Sequence, residues 1–190
     1  MIDLTNIPDK TEFKSTTSHK FKQDLINFFQ DKKLKTCLEI GTNHGWTARI
    51  LSSLFEEVHT IDYYESNITE AKKNNSDRTN IIYYTGDAYN RNMYISMPLI
   101  EVAFIDCIHT YEHVLFDINT CLEKIDTSKG MYFIFDDFGL PGAPGVNKAI
   151  LQSMEEGLKF EAYIGQEAGY QYNSASTLIN HEGIILSYGK

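Results

Sequence analysis

The sequence predicts an α/β fold: a doubly wound, mostly parallel sheet with helices on both faces, closed at its end by an antiparallel hairpin. Short apolar runs of strand length recur along the chain, helical patterns lie between them, and each run stops at an acid or a glycine turn. Strands that alternate with helices make βαβ units, and these pair in parallel and are covered on both faces.

The elements follow in order. Phe21, Leu25, Ile26, Phe28 and Phe29 share one face of a helix, with Ser15, Thr16, Thr17 and Ser18 upstream as candidate caps. Strand-length runs then occupy 36–40, 58–61, 81–84, 102–105 and 131–135. Helical spacing is clearest in Val114, Leu115, Ile118, Cys121 and Leu122, and again in Val146, Ala149, Ile150 and Met154. The tail differs: 160–164 and 184–188 have no convincing helix between them, so they are expected to form the hairpin and bring the sheet to seven strands. No repeat, low-complexity tract or linker interrupts the chain, and 190 residues suit a single domain, 1–190, whose first 35 residues form an N-terminal helical extension.

Composition bounds the function. Apolar residues make up 42% and charged residues 23%, with Tyr 12 and Phe 11, which is the composition of a chain that folds. A formal net charge of −9 argues against a protein built to cover phosphate backbones, so no nucleic-acid partner is expected. The clustered lysines Lys20, Lys22, Lys32, Lys33 and Lys35 flank the first helix and read as a solvated face. Cys37, Cys107 and Cys121 sit singly, in neither a disulfide framework nor a zinc motif, which suits a reducing compartment. No apolar run reaches the roughly 18 residues of a membrane span, and MIDLTNIPDK lacks the basic-then-apolar order of a signal peptide. A cytoplasmic protein without a membrane partner is expected.

In an open parallel sheet, ligands bind beyond the carboxyl ends of the strands. After the first run comes Glu39-Ile40-Gly41-Thr42-Asn43-His44-Gly45, after the second Asp62, after the third Gly86-Asp87, after the fourth Asp106, and after the fifth Asp136-Asp137. A Gly-x-x-x-Gly turn lets backbone N–H groups approach a ligand closely. Asp62, 21 residues beyond Gly41, is placed to accept from both hydroxyls of a ribose, and Asp87 to take an adenine amino group. The turn is neither the GxGxxG of dinucleotide folds nor a GxxxxGK[ST] phosphate loop, so a nucleoside ligand without a pyrophosphate is favoured. S-adenosylmethionine is such a ligand.

CLEIGTNHGWTARIL resembles the first motif of class I S-adenosylmethionine-dependent methyltransferases, which are Rossmann-like, in the form found in catechol and caffeoyl-CoA O-methyltransferases. HTIDYYE, YYTGDAY, VAFIDCIHTYEHV and GMYFIFDDFG extend the resemblance over about residues 36–150, the last two being similar to macrocin-type and novobiocin-type O-methyltransferases. The resemblance implies that Gly41, Gly45 and Thr47 hold the methionine end of the cofactor, Asp62 the ribose and Asp87 the adenine side. It adds Glu39, Thr42, Trp46, Tyr63, Gly86 and Asp106 to the cofactor set, with Trp46 open between packing and contact.

Asp106, Asp136 and Asp137 end neighbouring strands, and oxygen ligands on one edge suit a hard divalent ion such as Mg²⁺. Such an ion would lower the pKa of a substrate hydroxyl and orient it at the sulfonium methyl. The resembling families carry the metal at the same positions. His109, three residues past Asp106, is the candidate base, and Tyr111 and Glu112 are candidates to support it. His113 is expected on a helix and solvated. The loop 139–145, stiffened by Pro141 and Pro144, is expected to shape the substrate site.

The leading expectation is metal-dependent methylation of a hydroxyl on a small molecule, a phenol or a sugar. Two others remain open: a metal-independent methyltransferase acting on nitrogen or another acceptor, and a non-catalytic nucleoside-binding module. Tyr170, Tyr172 and the polar stretch 171–176 are open between lining a pocket and forming the contact of a homodimer.

Overall fold

The computed structural model describes residues 2–13, 15–126, 128–167 and 181–189, so the stretch 171–176 with Tyr170 and Tyr172 lies outside the described residues. The elements in chain order are α1 (His19–Phe29), β1 (Thr36–Ile40), α2 (Trp46–Leu54), β2 (Glu57–Asp62), α3 (Glu65–Asn74) and β3 (Ile81–Thr85). A 3₁₀ turn at Arg91–Tyr94 precedes β4 (Val102–Ile105), α4 (Tyr111–Leu122), β5 (Met131–Asp136), α5 (Pro144–Glu155), β6 (Lys159–Glu167) and β7 (His181–Tyr188). One seven-stranded sheet has the order β3-β2-β1-β4-β5-β7-β6. β1 to β5 pair in parallel, whereas β7 runs antiparallel to both β5 and β6. The expected hairpin is present, with its second strand placed inside its first.

Period-two alternation explains why the strands read as unbroken apolar runs. In β5, Met131, Phe133 and Phe135 join Val114, Ile118, Val146 and Ile150 on the face covered by α4 and α5. Tyr132 and Ile134 point the other way, to Phe21, Leu25 and Phe29 of α1 and Ala48 and Leu51 of α2. Both faces are dry, so neither set can be polar.

Ser18 caps α1 by accepting from the Phe21 N–H at 3.0 Å, while its own N–H and hydroxyl donate to Glu182 of β7 at 2.7 and 2.5 Å. The lysine cluster is not wholly solvated: Lys22 is fully buried beside Phe21. Its ammonium donates to the Thr17 carbonyl and, at 3.1 Å, to that of Pro8, and burial lowers its pKa to about 8. The residues before α1 are thereby tied down, with Ile7 buried against Ile26 and Ile50.

The chain runs from β1 outward to β2 and β3, then returns to β4 on the other side of β1. The loops after β1 and β4 therefore part, which opens a crevice at the carboxyl edge of the sheet. Gly41 sits in that crevice at φ +105°, and a Cβ there would lie 1.9 Å from the Asp106 carbonyl oxygen. Gly41→Ala is expected to lose about 2–4 kcal/mol through strain and overlap with backbone that cannot yield. Urea unfolding checks this, and an unchanged midpoint would mean that the two loops do not meet as described.

Candidate functional site

A cavity of about 950 Å³ occupies the crevice, a size suited to a drug-sized or nucleoside ligand. Residues following β1 to β5, α4, and Lys10, Ser15 and Thr16 of the N-terminal segment line it. Of the residues singled out in the sequence, it brings together Gly41, Asp62, Tyr63, Asp87, Asp106, His109, Asp136 and Asp137. Glu39, Thr42, Gly45, Trp46, Thr47 and Gly86 are not among its lining residues.

Glu39, Thr42, Gly45, Trp46 and Gly86 are engaged with other parts of the protein. Trp46 packs against the cluster of Ile7, Ile26 and Ile50. Gly45 starts α2 at φ +76° and donates its N–H to the Thr42 carbonyl at 2.8 Å; a Cβ on it would meet Ala71 at 2.7 Å. Thr42 pairs its hydroxyl with that of Thr60 at 2.6 Å, and Thr60 in turn donates to the carboxyl of Glu39. Burial pushes Glu39 up to about 8, and its other oxygen has no partner among the described residues. Gly86 donates to the Asp62 carbonyl at 2.9 Å and adjoins Met93.

Asp62 is fixed for recognition. One carboxylate oxygen accepts from the Asn43 N–H at 2.8 Å, the other from the Tyr64 N–H at 2.9 Å and the Asn67 amide at 3.1 Å. Asn43 reaches it from a left-handed backbone (φ 47°), a conformation that Asn tolerates. Lone pairs remain for a ligand, since a carboxylate offers about four acceptor sites. Asp87, by contrast, is exposed and accepts from the Tyr89 N–H at 2.9 Å.

A second group lies at Asp106, His109 and Asp137, whose ligand atoms all fall within 4.8 Å of one another. His109 Nε2 is 3.2 Å from Asp137 Oδ2 and 3.5 Å from Asp106 Oδ1, within ion-pair range of both. Two carboxylates this close together on one edge fit a hard divalent ion, with the imidazole beside it. Asp137 holds its place from a left-handed backbone, φ 58°. Asp136 is not in that group: it ends β5, is buried, and leaves one oxygen without a partner among the described residues.

The electrostatics are those of crowded acids. Burial, then the charges of Asp106 and Asp137, push the Asp136 carboxyl well above its usual range. Burial and Asp106 raise Asp137 as well. Asp106 and Asp137 hold His109 above the ordinary imidazole value against the opposing effect of burial. Lys10, from the N-terminal segment, answers part of the charge. Burial opposes its ammonium, but Asp136, Glu182 and Asp137 outweigh that and hold its pKa up, with Glu182 at 3.5 Å.

Sequence reasoning missed the wall of α4. Thr110 caps this helix by accepting from the His113 N–H, and His113 and Asp117, one turn apart, both line the cavity. His113 is half-buried against the ring of Tyr89 at 4.5 Å rather than solvated. Asp117 is 4% exposed, and burial alone raises its pKa to about 7. Leu140 of the loop 139–145 also reaches the cavity, while Tyr111 donates to Gln152 of α5 instead of the site.

A family model described as Methyltransferase domain matches residues 38–138. The chain belongs to this methyltransferase family. Among solved structures, the methyltransferase is similar to an O-methyltransferase from Bacillus cereus in complex with S-adenosylhomocysteine (18% identity, 96% of this chain and 84% of that one, TM-score 0.68). It is also similar to a provisionally assigned O-methyltransferase from Klebsiella pneumoniae (16% identity, 92% and 81%, TM-score 0.70). A third is the precorrin 8w decarboxylase of Methanobacterium thermoautotrophicum (12% identity, 98% of each chain, TM-score 0.64). No curated protein matches the chain. Family membership makes this a class I S-adenosylmethionine-dependent methyltransferase, and the cavity volume and the oriented Asp62 fit that cofactor. Among the described residues, no helix is long and apolar enough to cross a membrane.

The state of Asp117 has a measurable consequence. Its folded pKa of about 7 lies above the ordinary 3.8, so the stability it allows is complete below pH 4 and falls as pH rises through 7. Asp117→Asn removes that loss. Its urea midpoint is expected to exceed that of the wild type by a margin growing from pH 4 to pH 8, to roughly 2–4 kcal/mol. Equal stabilities at pH 8 would show that the carboxyl is solvated.

Proposed function

We propose that the protein methylates a hydroxyl of a small molecule, with a divalent cation, Mg²⁺ or a similar ion, held at the carboxyl edge of the sheet. The observation that carries this reading is the convergence of Asp106, His109 and Asp137 inside the cavity that Asp62 also lines. When bound, the cation lowers the pKa of an acceptor hydroxyl, and S-adenosylmethionine supplies an electrophilic methyl on sulfonium sulfur.

The residues divide the remaining work. Asp62 holds the ribose diol with the lone pairs that Asn43, Tyr64 and Asn67 leave free. Asp106 and Asp137 would hold the cation, with Asp136 lining the same cavity beside them, its carboxyl shifted toward neutrality by burial and by their charge. His109 Nε2 takes the acceptor's proton, a role suited to an imidazole whose basicity two carboxylates raise. Lys10 and Leu140, from the N-terminal segment and the loop after β5, close the cavity round the acceptor and limit water. The free thiols of Cys37, Cys107 and Cys121 and the net charge of −9 support a cytoplasmic enzyme of small molecules rather than of nucleic acid.

Calorimetric titration of S-adenosylhomocysteine comes first, with micromolar affinity expected; a folded sample that binds none would sink the cofactor reading. In a methyl-transfer assay over candidate phenols and sugars, EDTA is expected to abolish turnover and Mg²⁺ to restore it. Activity indifferent to EDTA would favour transfer to nitrogen or to an unactivated acceptor. His109→Ala is expected to lower kcat by about 10²–10⁴ while metal affinity changes little. Loss of metal affinity in that variant would instead make His109 a ligand.

A further inference from the structure

We infer that Asp117 is the residue that reads the amino edge of the cofactor's adenine. The inference rests on the S-adenosylmethionine reading above and adds a recognition residue to it.

The starting point is a carboxyl that nothing in the described protein explains. Asp117 is 4% exposed, lines the cavity, and makes no hydrogen bond or ion pair with any described residue. A carboxyl this nearly buried, open only to the cavity and without a protein partner, is costly unless something that enters the cavity pairs with it. Its neighbours on α4 account for the burial but not for the acid. Val114, Ile118 and Cys121 pack into the core, and any apolar residue at 117 would serve that packing.

Its position selects the part of the ligand. The loop after β3 lies against the turn of α4 that carries Asp117: the Tyr89 ring is 4.5 Å from that of His113 and 4.2 Å from that of Phe116. On its other side, Asp117 is close enough to Cys107 to raise that thiol's pKa, after burial itself. Asp117 therefore stands on the turn of α4 that faces the Asp87–Tyr89 loop. Asp62 and the β3 loop adjoin, since the Gly86 N–H donates to the Asp62 carbonyl at 2.9 Å. With the ribose on Asp62, the base falls toward that loop.

Adenine presents there an amino donor beside a ring-nitrogen acceptor. A neutral carboxyl group complements both, its carbonyl accepting from the amino group and its hydroxyl donating to the ring nitrogen. The amide of Asn or Gln pairs with adenine in the same bidentate manner. Asp87, the acid that the sequence suggests for this role, is exposed and already accepts from Tyr89. The buried acceptor is Asp117.

The test compares calorimetric affinities for S-adenosylhomocysteine and for its analogue lacking the 6-amino group, with purine in place of adenine. The wild type is expected to prefer the amino compound by about tenfold or more, D117N to keep that preference within about threefold, and D117A to bind both alike. Thermal unfolding of each variant establishes that it is folded. D117A retaining the wild-type preference overturns the assignment of Asp117 alone, as does a wild type indifferent to the amino group, whatever the fate of the variants. A wild type that binds neither compound removes the cofactor reading, and this inference with it.

Discussion

The structure turns on carboxyl groups drawn out of water at one edge of a sheet. Asp62, Asp106, Asp117, Asp136 and Asp137 all border a single cavity, and Glu39 lies fully buried behind it. Such a set is costly to keep ionised in a low dielectric, and the protein relieves the cost locally in different ways. Asp62 accepts three hydrogen bonds, Glu39 and Asp117 shift toward neutrality, and Lys10 and His109 bring positive charge to Asp136 and Asp137. The imbalance that remains is negative. It suits ligands that arrive positively charged, as a sulfonium and a divalent cation do.

The same constraint explains why the N-terminal segment is built as it is. A lysine placed over carboxylates is useful only if its backbone is held, and the holding is elaborate. Lys22 gives up solvent to grip two carbonyls of the segment, Ser18 binds Glu182, and the Asn43 amide donates to the Ser15 carbonyl at 2.9 Å. Glu182 serves twice, anchoring Ser18 and meeting Lys10. The segment that covers the site is thus fastened by some of the charges that the site gathers.

Much of this was legible in the sequence because it is local. The strand runs are apolar throughout since both faces of the sheet are covered, and the residue that ends each run sits at the carboxyl edge by topology alone. Gly41, Asp62, Asp106 and Asp137 follow from that rule. What the sequence hides depends on tertiary approach. Asp117 interrupts an apolar helical stripe, and spacing alone does not show that it is buried at the cavity wall, where the loop after β3 packs its Tyr89 ring on Phe116 and His113. Lys22 misleads for the same reason, being a charge among charges until the carbonyls of Pro8 and Thr17 come to it. Nor does spacing show that His109, rather than Asp136, shares a close group with Asp106 and Asp137, because that depends on the left-handed turn at Asp137.

Similar structures at 12–18% identity bear different activities, an O-methyltransferase and a decarboxylase among them. The frame therefore does not choose the chemistry. What chooses it must vary without disturbing the sheet, and here that means groups set on its edge: a histidine three residues past β4, an aspartate in a turn after β5, a lysine on a segment before α1. None of these contributes to the apolar layers on either face. The cofactor end is constrained differently, because Asp62 and Asp117 are fixed by elements that also pack the core. Recognition of the nucleoside is thus tied to folding, whereas recognition of the acceptor rests on loops that can change residue by residue.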